Sequence, residues 1–200
     1  MSKGSSFERE IAADLSKWWT QNMEVVRDDI FYRTDGSGSR FTSRKKKGKD
    51  TAYQGGDITF SDPIGELLIK NWNIELKTGY GTKSKIKDEN GKLIKKITER
   101  WDVLDLLDSK QREPTLIRMW KQCENDAKLT NREPILIFRR NNRKPCIMLT
   151  HNYKMFLCDC FGDYNSNTIS FSIWYKQYYE ILTLSNFFNW IPDIRLALKK

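Results

Sequence analysis

Apolar residues recur at Phe7, Ile11, Leu15 and Trp18/Trp19, one face of a helix, so an amphipathic helix is predicted over residues 5–22. Ser5-Ser6-Phe7-Glu8 fits a capping box at its start. A first short strand region is expected in Met23–Val26 and Ile30–Tyr32. Residues 33–54 lose all periodicity and are rich in Gly, Ser and Lys, which predicts a long mobile loop. Alternation returns at Asp57-Ile58-Thr59-Phe60 and ends at the Ser61-Asp62-Pro63 turn. Leu67–Lys77 holds the next strand or pair of strands, and its last four residues, Ile74-Glu75-Leu76-Lys77, alternate. Glu75 and Lys77 therefore point to the same side.

Asn90-Gly91 between the alternating halves of residues 83–97 predicts a hairpin with a type I′ turn. Residues 99–128 read as mostly helical with an interruption at Pro114, the apolar stripe being Leu116, Met119/Trp120, Cys123 and Ala127. Pro134–Phe138 and Cys146–Leu149 are two further strands joined by the basic turn Arg139–Lys144. Residues 178–191 read as a strand followed by a short helix. No internal repeat and no linker divides the chain, so residues 1–200 are expected to form a single domain.

Composition narrows the class. A hydrophobic fraction of 38% with 7 Trp, 8 Tyr and 10 Phe is that of a folded chain. No apolar run approaches the ~20 residues of a membrane helix, and the N-terminus lacks an apolar signal region. A cytoplasmic protein that does not engage membranes is the expectation. Cys123, Cys146, Cys158 and Cys160 include no C-x-x-C pair, so they are expected to be reduced structural thiols. His151, the one histidine, is expected at the surface or in a turn.

The charge is +9, and two segments carry all of it. Residues 33–50 have a net +5 and residues 81–100 a net +4. The first includes Arg40, Arg44, Lys45, Lys46, Lys47 and Lys49; the second includes Lys83, Lys85, Lys92, Lys95 and Lys96. Two basic segments flanking one short stretch point to a polyanionic partner, nucleic acid, with these residues as its contacts.

The stretch between them carries the chemistry. Asp57 follows Gly55-Gly56, and Glu75 and Lys77 sit two apart among apolar residues. Burying such charges is costly unless something offsets them. An acid on one strand and acid-x-base on the next can converge on a divalent ion such as Mg²⁺, with the Leu76 backbone carbonyl as a third oxygen ligand. Mn²⁺ would substitute. Lys77 would lie beside the ion, where it can orient a water and offset charge on an attacked phosphate.

Gly56-Asp57 with Glu75-Leu76-Lys77 resembles the bipartite D…(D/E)-x-K motif of the PD-(D/E)xK nuclease superfamily, Gly56 standing where Pro is usual. "KGSSFEREIAADL" (3–15) is similar to the opening helix of archaeal-type Holliday junction resolvases. That likeness implies a metal-site role for Glu8, with Glu10 its competitor. "RMWKQCENDAKLTNREPILIFRR" (118–140) resembles the helix and strand that come after the ExK strand there, which implies that Gln122 is presented to the site.

The resemblance runs over about residues 3–150 and leaves about 151–200 as an extension. It implies an α/β (α+β) restriction-endonuclease-like core, a central mixed sheet flanked by helices, with a basic hairpin inserted. It further implies a homodimeric Mg²⁺-dependent endonuclease preferring branched or four-way-junction DNA, acting in recombination, repair or phage DNA processing. The alternatives are a restriction- or homing-type enzyme that reads sequence, and a DNA-binding module that has lost activity. The Lys- and Asn-rich composition suggests a phage or low-GC bacterial source.

Overall fold

The apolar spacing at the N-terminus becomes helix α1, Lys3–Thr20, with Phe7, Ile11, Leu15, Trp18 and Trp19 all buried. The structure, a computed structural model, describes residues 3–34, 55–79, 83–98, 101–108, 113–173 and 177–199. The helix begins before Ser5, so Ser5 and Glu8 lie within it and form no capping box. Buried Ser16 ties α1 to the backbone at Phe31: its hydroxyl donates to the Ala12 carbonyl at 2.7 Å and accepts from the Phe31 N–H at 2.9 Å.

Of the first predicted strand region, only Phe31–Arg33 forms a strand, β1. Met23–Val26 is not strand: it bends away after a turn that the Met23 N–H closes by donating to the Thr20 carbonyl. β2, Ile58–Phe60, pairs antiparallel with β1. The Asp62 side chain then caps a 3-10 turn at Pro63–Gly65, which leads into helix α2, Glu66–Asn71. These residues are therefore not strand. Local signals favour the helix: the cap, the Glu66–Lys70 pair at i,i+4 and the burial of adjacent Leu68 and Ile69.

The main sheet starts with β3, Trp72–Thr78. It runs parallel to β6, Glu133–Arg139, with Glu75 opposite Leu136 and Lys77 opposite Phe138. Antiparallel β7 (Cys146–Thr150), β9 (Gln177–Thr183) and β8 (Ile169–Ile173) complete the order β3-β6-β7-β9-β8. The small β1-β2 pair hangs on the edge of β3 through Asp57 N–H to the Ile74 carbonyl, 2.8 Å.

Side-chain alternation divides the core into two layers. Ile74, Leu76, Ile135, Ile137, Ile147 and Leu149 face α1. On that side they also meet α5 (His151–Phe161), α6 (Leu184–Trp190) and α7 (Arg195–Leu198) through Leu157, Phe187 and Ala197. Leu136, Phe138, Met148 and Ile181 face the other layer, α4 (Thr115–Thr130) and Trp101. The residues read as an extension thus supply two sheet strands and three helices of this same body. The architecture is α+β, a five-stranded mixed sheet flanked by helices, consistent with a restriction-endonuclease-like core.

The hairpin forms from β4 (Lys83–Lys87) and β5 (Leu93–Thr98), but its turn is not type I′. Type I′ needs positive φ at both central residues, and of these residues only Gly91 has it, at +78°. Asp88 is the cause: its carboxylate accepts from the Asn90 and Lys92 N–H groups, and Gly91 N–H closes onto the Asp88 carbonyl. That is a type I turn with Gly91 in the next, left-handed position. Among the described residues of 99–128, a single-turn helix, α3 (Asp105–Asp108), precedes α4. No described helix is long and apolar enough to cross a membrane.

Candidate active site

Asp57 is placed by a backbone that only glycine allows before it. Gly56 has φ +86°, and a Cβ there would sit 2.8 Å from the Ile74 carbonyl oxygen. That close approach lays Asp57 against β3, where its Oδ2 accepts from the Leu76 N–H at 2.8 Å. A proline, with φ fixed near −65°, could not take this path.

Glu75 and Lys77 share the α4 face of β3. Glu75 is 4% exposed, and its Oε1 accepts from Lys77 Nζ at 2.5 Å and from Gln122 Nε2 at 2.8 Å. Burial pushes the Glu75 carboxyl up to about 7, the like charge of Asp57 adds to the rise, and Lys77 opposes it. Asp57, Glu75, Lys77 and Gln122 therefore meet, from three elements distant in sequence. Their chemistry suits a hard cation: two oxygen-donor acids repel one another in a largely dehydrated place.

Asp126 joins the same electrostatic neighbourhood and was not singled out from sequence. It is one helical turn beyond Gln122 on α4. Burial raises its pKa, Lys77 lowers it and Asp57 raises it. The signal was there in the i,i+4 spacing of Gln122 and Asp126, but only the packing of α4 on β3 gives it meaning. Cys123 lies between them fully buried, its thiol pushed well up by burial.

Glu8 stands apart from this group. Its carboxylate accepts from Arg33 Nη1 at 3.2 Å, and Arg33 precedes Thr34, whose N–H donates to the Asp57 carbonyl. Glu10 pairs instead with Arg139. Among the described residues, no three His, Cys, Asp or Glu side chains are grouped so as to hold a metal. His151 opens α5 and pairs with buried Glu180 at 2.7 Å, and none of the four cysteines forms a disulfide.

Of the basic residues, Arg40, Arg44, Lys45, Lys46, Lys47 and Lys49 lie outside the described residues. Lys83, Lys85, Lys95 and Lys96 fall on β4 and β5, with their side chains outside what is described, and Lys92 is exposed at the turn.

A search of curated proteins and one of solved structures give no match. The sequence model of the family described as "Phage putative PDDEXK endonuclease" matches residues 92–195, just over half of the 200. Gln122, α4 and the sheet from β6 to β9 lie within the match, whereas Glu8, Asp57, Glu75 and Lys77 precede it. The nuclease superfamily suggested by the spacing of Asp57, Glu75 and Lys77 is thus reached independently from the other half of the chain, which belongs to this phage PDDEXK endonuclease family.

Proposed function

We propose that the protein is a divalent-metal-dependent endonuclease that hydrolyses DNA phosphodiesters, with branched or four-way-junction DNA as its preferred substrate. The observation that carries this reading is the meeting of Asp57, Glu75, Lys77 and Gln122 at one end of β3. Asp57 and Glu75, with the Leu76 carbonyl, are the residues that would hold Mg²⁺ or Mn²⁺, and Glu8 would join them only by leaving its pair with Arg33. When bound, such an ion supplies neutralisation of phosphate charge and a more easily deprotonated water.

The chain's own groups do the rest. Leu76 N–H fixes the Asp57 carboxylate. Gln122 and Lys77 fix Glu75, and Gln122, being uncharged, does so without competing for the charge. Lys77, in contact with Glu75, holds the attacking water and offsets charge on the phosphate. The preference for junctions, and a homodimer with one site for each strand, rest on the resemblance of residues 3–15 and 118–140 to archaeal-type Holliday junction resolvases.

Cleavage of a four-way junction, a flap and a plain duplex in Mg²⁺ tests the reading. Faster, paired incisions in the junction are expected. Site-specific cutting of the duplex would favour the restriction- or homing-type alternative, and binding without cleavage of any of them would leave a DNA-binding module.

A further inference from the structure

The sheet face that bears Glu75 and Lys77 continues past the catalytic group. Lys77 lies opposite Phe138, Phe138 opposite Cys146, and Cys146 opposite Thr183. Ile181 and its partner Ile169 extend the same face. Where α4 stops covering it, this floor opens into a cavity of about 520 Å³. Trp101 and Val103 form the wall, the Trp101 ring meeting Phe138 edge-on at 5.6 Å.

The mouth has a different chemistry. Arg140, Arg143 and Lys144 from the β6–β7 turn stand there against one acid among the described residues, Asp102. Arg140 pairs with Asp102, while its buried Nε has no hydrogen-bond partner among the described residues. A buried donor left unmade is costly unless a ligand completes it. The volume is within the roughly 300–1,000 Å³ of small-molecule sites.

An apolar slot with a cationic lip and a spare donor fits a flat, weakly polar group carried on an anionic chain. A nucleobase on its phosphodiester backbone has that composition. The floor begins one strand over from Lys77, and two strand spacings are about 10 Å, so a nucleotide close to the cleaved phosphate can reach it. A paired base cannot enter without being extruded, which costs a few kcal/mol that an unpaired base does not incur.

Resting on the reading of this chain as a DNA nuclease, we propose that this cavity receives an unpaired nucleobase of the substrate strand. Arg143 and Lys144 hold the adjoining phosphates. The enzyme thereby selects DNA with a nucleotide outside the double helix.

Three synthetic DNAs of one sequence test this: a full duplex, the same duplex with one unpaired 2-aminopurine, and the same with an abasic site at that position. Affinities are measured by anisotropy in chelator, so that no cleavage enters. The unpaired base should bind about tenfold tighter than the abasic site, with a change in 2-aminopurine emission on binding. Ile169→Trp, at the exposed mouth, should remove that preference and leave duplex affinity within about twofold. Arg143→Ala with Lys144→Ala should weaken all three alike. Equal affinity for base and abasic site in the unmodified protein would overturn the proposal, whatever the variants do. Preference for the base without Mg²⁺-dependent cleavage would strike the nuclease reading and uphold the pocket; cleavage without preference would strike the pocket alone.

Discussion

Glu75 is held where its charge is expensive. Its carboxyl is raised by burial first and by Asp57 second, from an ordinary 4.5 to about 7. Between those values the folded, metal-free protein binds more protons at this site than the unfolded chain. Stability must therefore fall as pH rises from about 4.5 through about 7, by an amount of order 3 kcal/mol. Urea unfolding in chelator at pH 5 and pH 8 should show the fall, and Glu75→Gln should flatten it. Mg²⁺ should recover stability at pH 8, because a ligand of the folded state alone stabilises it. A pH slope unchanged in Glu75→Gln would locate the titrating group elsewhere. Glu8 is a separate case. Its ion pair with Arg33 is partly exposed and worth at most about 1 kcal/mol, so Glu8→Ala should keep its melting temperature nearly intact. A place in the metal site predicts a loss of orders of magnitude in rate; unchanged cleavage would assign Glu8 to the ion pair only, and Glu10 is held away by Arg139.

Among the elements, the short links decide the site. Gly56 lets Asp57 dock on β3, and its backbone conformation excludes other residues. Gly56→Ala should lower the melting temperature and slow cleavage together, whereas a variant as stable and active as the parent would show that β2 can reach β3 another way. The two basic segments are elements of another kind. Neutralising Lys45, Lys46 and Lys47 should flatten the dependence of log affinity on log salt by up to about three units. Catalysis at saturating protein should fall much less. An unchanged salt slope would remove that segment from the DNA-binding surface. Periodicity or an apolar run made α1, β2, β6, β7 and the β9-α6 pair legible: α1 buries one face on the sheet, and β6 and β7 are buried on both faces. It failed at Glu66–Asn71, where six residues carry too short a pattern to separate helix from strand, and where a capped turn upstream made the choice. It failed again at Asn90-Gly91, where the Asp88 side chain overrides the dipeptide's usual turn.

At the scale of the molecule, one sheet brings the site together. β3 supplies Glu75 and Lys77, the β1-β2 pair delivers Asp57 to its edge, and α4 brings Gln122 and Asp126 over its face. Local sequence could name Asp57, Glu75 and Lys77 by their types and spacing. Asp126 and the cavity beside Phe138 needed strand order and helix packing, since neither has a signature in contiguous residues. The same holds for residues 151–199, whose strands complete the sheet that supports the site. The most direct test of the central claim is single-turnover cleavage of a four-way junction in Mg²⁺ by Asp57→Asn and Glu75→Gln, with junction affinity measured alongside. The account predicts that cleavage falls by orders of magnitude in each while affinity and folding are kept. Cleavage at the parent rate in either variant would contradict it.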